Sequence, residues 1–368
     1  MKNACIVLTK NKNTFADVSF TAVFDVFCFN GYPFDETRLL AESDVQTAKN
    51  VFTQVKEEYD NVVVVCEAGA LVTTKALLTE VFAEGIYQGG HNGAAIYDDR
   101  KRTWLLLSSN DAETGATYAK NVCIPYLHKK YGVRYDKYVI RTVGANEQHV
   151  KQLIAEARKH SGNQISYNHV RNHGEDIVEI LYDGNAPKML VDDTIRLFAD
   201  GLSESVYALE DVPLEEQLVR LLKLRGKKLS VAESFTGGGV SRRIVSVSGA
   251  SAVFFEGLNT YDERSKIKRL GVSDYTLKTQ GAVSDQTAYE MATGLINTGD
   301  CDISIATTGL AGPKSDRSLL PVGLCYIAIG LKDRVFVYRY KFDGTREEIT
   351  ETAINYALFL AYKQLKDA

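Results

Sequence analysis

The chain lacks a C-x-x-C pair, an excess of positive charge, an apolar run of membrane length and any repeat of solenoid length. Its six cysteines (Cys5, Cys28, Cys66, Cys123, Cys301 and Cys325) are widely scattered. That spacing points to neither a zinc site nor a redox dithiol. Most of them lie in apolar runs and read as small buried hydrophobes. A formal net charge of −4 argues against a dominant nucleic-acid surface, because backbone phosphates demand clustered Lys and Arg; a small basic patch is still compatible with it. The N-terminus, Met1-Lys2-Asn3-Ala4-Cys5, has no long apolar segment, and nothing later approaches a membrane span. No low-complexity tract occurs. The expectation is a reduced, cytoplasmic, soluble protein with no membrane partner.

What is present is an ordinary globular composition, 45% hydrophobic and 24% charged over 368 residues, which allows two or three domains. Residues 1–134 alternate strand and helix signals. Ala4 to Thr9 and Thr103 to Leu107 read as strands, and Val62-Val63-Val64-Val65 is a continuous β-branched run. Such a run fits a strand covered on both faces of a parallel sheet. Helices are expected over Ser43 to Tyr59, Thr74 to Phe82 and Ala112 to Tyr131, giving a doubly wound α/β domain. Residues 135–210 read as a small α+β module. Two of its strands are joined by the polar turn Arg171-Asn172-His173-Gly174.

The third segment, 211–368, opens with a helix bracketed by Pro213 and Gly226. An apolar strand, Leu229 to Ala232, then hands over to Glu233-Ser234-Phe235-Thr236-Gly237-Gly238-Gly239. Backbone N–H groups at such a turn can hold an anion. Ser251, Tyr261 and Lys266 follow. A serine hydroxyl needs a base beside it to act as a nucleophile, and a desolvated lysine can serve. Each residue alone has a blander reading: Ser251 as a turn serine, Lys266 as a solvated surface lysine, Tyr261 as a half-buried strand aromatic, the glycines as a tight turn, Arg346 as a surface residue of the last helix. His169 and His173 stand four apart beside Glu175, but on a strand and turn that spacing does not bring two imidazoles together, so no metal is expected.

The joint pattern is more specific. It runs through Val231-Ala232-Glu233-Ser234-Phe235-Thr236-Gly237-Gly238, Tyr261 and Lys266 ahead of Leu270-Gly271-Val272, Gln280-Gly281-Ala282-Val283-Ser284, Thr308-Gly309-Leu310-Ala311-Gly312-Pro313 and Pro321-Val322-Gly323. This order resembles the C-terminal domain of the CinA family, the nicotinamide mononucleotide (NMN) amidohydrolase also called PncC. The whole layout resembles full-length CinA: a molybdopterin-binding-like domain (1–134), a middle module (135–210) and an α/β/α sandwich amidohydrolase domain (211–368). The resemblance implies conversion of NMN and water to nicotinate mononucleotide and ammonia in pyridine-nucleotide recycling, without metal or cofactor, by a homodimer. By position it makes Ser251 the nucleophile, Lys266 the base and Tyr261 a proton relay or lysine-orienting group. Ser234, Thr236, Gly237, Gly238, Thr308 and Gly309 become pocket residues, and Arg346 sits at the phosphate or the pocket rim. Whether the glycine-loop N–H groups serve phosphate or oxyanion is open at this stage.

Two departures stand out. Phe235 replaces the usual cysteine, which is expected to add bulk at the loop's mouth, and Lys314-Ser315-Asp316-Arg317 replaces a glycine-rich stretch. In the first segment the family's acidic and glycine motifs are replaced by Lys10-Asn11-Lys12-Asn13, Cys66-Glu67-Ala68-Gly69-Ala70 and Ser108-Ser109-Asn110-Asp111. Carboxylates able to hold a divalent ion on a pyrophosphate are mostly absent there. The ADP-ribose pyrophosphatase activity of some family members is therefore expected to be lost. The remaining alternative is a non-catalytic nucleotide-binding or competence-related protein with a decayed site.

Overall fold

A computed structural model of the protein describes residues 1–10, 20–82, 86–89, 95–108, 112–132, 135–162, 164–313 and 320–367. Asn11, Lys12, Asn13, Ser109, Asn110, Asp111 and the 314–318 stretch lie outside the described residues. The architecture is multidomain α/β, with one sheet in each of the three segments. The chain clusters into two compact units: one comprises 1–137, 163–166 and 181–191, the other 138–162, 167–180 and 192–368.

The first unit contains β1 (Asn3–Thr9), α1 (Thr21–Cys28), β2 (Glu36–Ala41), α2 (Val45–Glu58), β3 (Asn61–Cys66), α3 (Leu71–Val81), β4 (Ile86–Gly89), β5 (Ala95–Asp98), β6 (Thr103–Ser108), α4 (Ala112–Tyr118) and α5 (Ile124–Tyr131). The sheet order is β2-β1-β3-β6-β5-β4, with β2, β1, β3 and β6 parallel. Strand alternation builds two cores from one sequence run. Ala4, Ile6, Leu8, Val62 and Val64 pack with Phe52 of α2 and Leu78 of α3. Cys5, Val7, Val63 and Val65 pack with Phe27 of α1 and Leu127 of α5. The single helix expected over 112–131 is two helices joined by a π-helical turn, Ala119–Cys123. Helix α1, strand β2 and the β4–β5 hairpin carry too little periodicity to be read from sequence.

The middle sheet, β10-β7-β9-β8, is built from β7 (Tyr135–Val143), β8 (Ile165–Asn172), β9 (Glu175–Asp183) and β10 (Val206–Ala208), with α6 (Glu147–Ser161) and α7 (Lys188–Gly201) between them. Asn146 caps α6 by accepting from His149 N (3.1 Å). His169 Nε2 lies 2.8 Å from the buried Asp176 carboxylate.

The C-terminal part runs α8 (Leu214–Arg225), β11 (Leu229–Glu233), α9 (Gly239–Val245), β12 (Phe254–Asn259), α10 (Glu263–Leu270), α11 (Asp274–Thr279), α12 (Asp285–Ile296), β13 (Ile303–Gly309), β14 (Leu324–Leu331), β15 (Val335–Lys341) and α13 (Arg346–Asp367). Its sheet order is β12-β11-β13-β14-β15; β11 is parallel to β12 and β13, and the β14–β15 hairpin completes one edge. Leu229, Val231, Ile303 and Ile305 face α8, α9 and α13. The opposite face is lined by Ala232, Ala306 and Ala328, small enough for α12 to lie close with Met291, Ala292 and Leu295. Helix α10 comes closer still to α12: a Cβ on Gly294 would stand 2.0 Å from Leu270 O. Only glycine fits there.

Candidate active site

Three parallel strands end side by side at one edge of the C-terminal sheet. Glu233 pairs with Asn259 of β12 and with Thr307 of β13. One residue further, Ser234 N donates to Thr307 O (3.0 Å) and Thr260 N to Glu233 O (2.7 Å), so the ladder extends into the turn. Ligands of open α/β sheets bind at the carboxyl ends of the strands. Ser234, Thr260 and Thr308 occupy those ends here.

Helix α10 delivers the base candidate. Asp262 caps it, accepting from Arg264 N (2.9 Å), and Gly271 closes it in the left-handed region (φ 68°). Its buried stripe is Lys266 and Leu270, one turn apart. Lys266 is 1% exposed, the opposite of a solvated surface lysine. Its Nζ contacts Ser234 Oγ (3.0 Å), Thr260 O (2.6 Å) and Tyr261 O (3.3 Å). Burial pushes the amine down to about 8, against the pull of the nearby Glu263 and Asp262 carboxylates. At pH 7.5 roughly a quarter of such amines are neutral, compared with about one in a thousand for an unperturbed lysine. In the neutral form two N–H bonds satisfy the two carbonyls and the lone pair is left for the Ser234 hydroxyl. This is the arrangement that nucleophile activation requires.

The other expected residues divide. Tyr261 contributes its backbone carbonyl, while its side chain is 64% exposed. Thr308 lies one strand over, with its hydroxyl donating to Ala282 O (2.6 Å). The Thr236 and Thr307 hydroxyls bond each other (2.7 Å). Gly309 packs against Cys325, where a Cβ would come within 2.5 Å. Arg346, at the start of α13, donates to Gly312 O (2.8 Å) and so braces the segment that follows β13.

Three expectations need correction. Ser251 is not beside Lys266. It sits exposed in the one-turn helix Ala250–Ala252, just before β12, whereas Thr260 and Tyr261 come just after it. The six residues of β12 rise about 3.3 Å each and hold the two ends about 20 Å apart. At Ser251's end, Leu229 N bonds Val253 O (2.8 Å) and Lys228 Nζ bonds Ala252 O (2.8 Å), which fixes it at the amino edge of the sheet. The alcohol next to Lys266 is Ser234.

Second, the glycine turn is not an open anion cradle. Gly238 N, Val240 N and Ser241 N all donate to the buried Glu233 carboxylate (3.0, 3.1 and 2.9 Å), as does Ser241 Oγ (2.7 Å). Gly237 N and Gly239 N go to Ser234 O (3.1 Å) and Thr236 O (2.9 Å). Among the described residues, the N–H groups of Phe235 and Thr236 are the donors in this turn without an acceptor. Third, Phe235 does not crowd the turn's mouth. It is buried with Ala311, Cys325, Ile349 and Ala353. Sequence reasoning passed over Glu233 and the Phe235 and Thr236 N–H groups. The available signal was an acidic residue at the last position of an apolar strand, directly ahead of a serine.

Among the described residues, no His, Cys, Asp and Glu cluster could hold a metal ion, all six cysteines are free, and no helix is long and apolar enough to cross a membrane.

The chain is similar to several known proteins. The family model "CinA C-terminal domain" matches residues 211–365. A CinA-like protein of Kosmotoga olearia is 33% identical over 267 residues, covering 72% of this chain and 64% of that protein. A protein of Clostridium acetobutylicum, named for competence-damage induction, is 30% identical over 308 residues, covering 82% of this chain and 74% of that protein. A CinA superfamily structure from Klebsiella pneumoniae is 29% identical, with a TM-score of 0.41, covering 42% of this chain and 97% of that one. Against several relatives the chain spans somewhat under two thirds of their length, 59% in the protein from Caldicellulosiruptor saccharolyticus.

Proposed function

Because the chain belongs to the CinA family, we propose that its C-terminal part is a nicotinamide-nucleotide amidase. It would hydrolyse the carboxamide of NMN with Ser234 as nucleophile and Lys266 as base. The reaction class is supported by one observation: a buried amine, lowered to about 8, lies 3.0 Å from a serine hydroxyl at the carboxyl edge of a parallel sheet. The choice of NMN is supported by the family.

Neutral Lys266 takes the proton of Ser234 Oγ as that oxygen attacks the carboxamide carbon. The carbonyl oxygen becomes an oxyanion, for which the N–H groups of Phe235 and Thr236 are the open donors. The C–N bond breaks, Lys266 returns its proton to the departing nitrogen, and ammonia leaves an acyl-serine. Water then gives a proton to Lys266 and attacks the ester. Collapse of the second tetrahedral state restores the Ser234 hydroxyl and frees the carboxylate. Thr260 O and Tyr261 O hold the amine in place throughout. A cytoplasmic homodimer is the proposed state of the protein, and sedimentation tests the assembly.

The direct test is ammonia release from NMN by the full chain and by Ser234→Ala. The reading requires release by the former and its loss in the latter. Equal rates would remove Ser234 from the mechanism.

A further inference from the structure

The Glu233 carboxylate occupies the place where an open glycine turn would bind an external anion. It is 1% exposed, and it accepts from Gly238 N, Val240 N, Ser241 N and Ser241 Oγ. Two of the turn's glycines stand in the left-handed region, Gly237 at φ 60° and Gly238 at φ 96°, with nothing within 4 Å of a Cβ placed on either. Space does not demand glycine there; the backbone path does. That path wraps the chain around the carboxylate.

A buried N–H must find an acceptor or stay available for a ligand. From Ser234 to Ser241, Ser234 N goes to Thr307 O, Gly237 N to Ser234 O and Gly239 N to Thr236 O, and the other three partnered groups go to Glu233. Phe235 and Thr236 remain, on the two residues that directly follow the serine. Hydrogen bonds to a carboxylate are stronger than those between neutral groups, and four of them on one side chain favour one shape of the turn. Remove the carboxylate and three backbone donors, Val240 N fully buried among them, lose their acceptor. The turn then has reason to reorganise, and the two open N–H groups move with it.

We infer that Glu233 is a positioning residue: it fills the anion position of its own turn and thereby fixes the Phe235 and Thr236 N–H groups as the oxyanion donors beside Ser234. This rests on the reading of Ser234 as nucleophile. It also means that the phosphate of a nucleotide substrate binds away from the glycine turn.

The test uses a fluorophosphonate on the full chain. Ser234 Oγ attacks phosphorus, its proton passes to Lys266, fluoride leaves, and negative charge builds on the phosphoryl oxygen. Glu233→Gln keeps the shape but faces an NH2 group toward donors. Its labelling rate at Ser234 is expected to fall about 10- to 100-fold, while the pH profile of labelling, set by Lys266, keeps its wild-type midpoint. A rate within twofold of wild type, or a loss explained wholly by a shifted midpoint, overturns the inference. Should Glu233→Gln fail to fold, Ser241→Ala removes a single donor to the carboxylate. A several-fold loss at unchanged midpoint is expected there, and no loss overturns the inference. A wild-type chain labelled at Ser234 but inactive on NMN would sink the amidase reading and leave this one standing. A wild-type chain that resists labelling overturns both.

Discussion

Two mixed sheets in this chain each end a set of parallel strands in the same way and are furnished in opposite ways. In the first unit, the carboxyl ends of β1 and β3 flank the point where strand order reverses, the usual ligand crevice. There Lys10 pairs with Glu67 (2.8 Å), with side-chain exposures of 65% and 20%, and the Cys66 thiol is pushed up to about 12 by burial. An exposed ion pair is worth little, and a thiol held protonated is inert. Two buried polar clusters of the unit lie at the opposite edge and are internally partnered: Asn61 with Asn3 and Tyr131, and Asp98 with Thr103, Tyr126 and Lys130. The C-terminal sheet instead buries an amine beside an alcohol and leaves two neighbouring N–H groups open. Parallel-sheet topology supplies a place for chemistry; a titratable group buried there supplies the chemistry.

The largest effects should come from the pair itself. Ser234→Ala and Lys266→Met should each lower ammonia release from NMN on the order of 10³-fold or more, because a nucleophile and its base act as a unit. Retention of activity by either would erase the distinction between the two sheet edges. The pH dependence sharpens it. The proposed base Lys266 must be neutral to accept a proton and its value is lowered to about 8, so kcat/KM should rise about tenfold per pH unit below 8 and level off above it. A flat profile between pH 6 and 9 would contradict the assignment. Arg346→Ala removes the donor to Gly312 O and should raise KM roughly tenfold with kcat changed less, read from steady-state kinetics at saturating and limiting NMN. The smallest effects should come from the places the comparison declares empty. Ser251→Ala should leave the rate within about twofold of wild type. The full chain with added divalent metal should release no AMP from ADP-ribose, and release that is lost on chelation would restore a function to the first sheet.

Much of the fold was legible because its signals are local. The run Val62 to Val65 could only be a doubly covered strand. Pro213 and Gly226 bracket α8, and Ser284 caps α12 by accepting from Thr287 N (3.2 Å). Helix α10 was not legible, because Glu263-Arg264-Ser265-Lys266-Ile267-Lys268-Arg269-Leu270 has no apolar stripe: its buried face is a lysine and a leucine. For the same reason Lys266 alone looked like a surface residue. Ser251 went astray for a topological reason. It precedes β12 and Lys266 follows it, so the length of a strand separates them. A residue that ends the adjacent parallel strand can reach the lysine, and Ser234 does. Glu233 hid because an acidic residue in a glycine turn looks solvated until the N–H groups wrapped around it are counted.

The serine that carries the acyl group decides between the two ends of β12. The full chain should be mixed with NMN, quenched in acid within the first turnovers, and digested with trypsin, which separates Ser234 from Ser251 at Arg242 and Arg243. Mass spectrometry should find the nicotinoyl nucleotide adduct on the peptide ending at Arg242, absent from Lys266→Met. An adduct on the peptide that carries Ser251, or ammonia release undiminished in Lys266→Met, would contradict the Ser234 assignment.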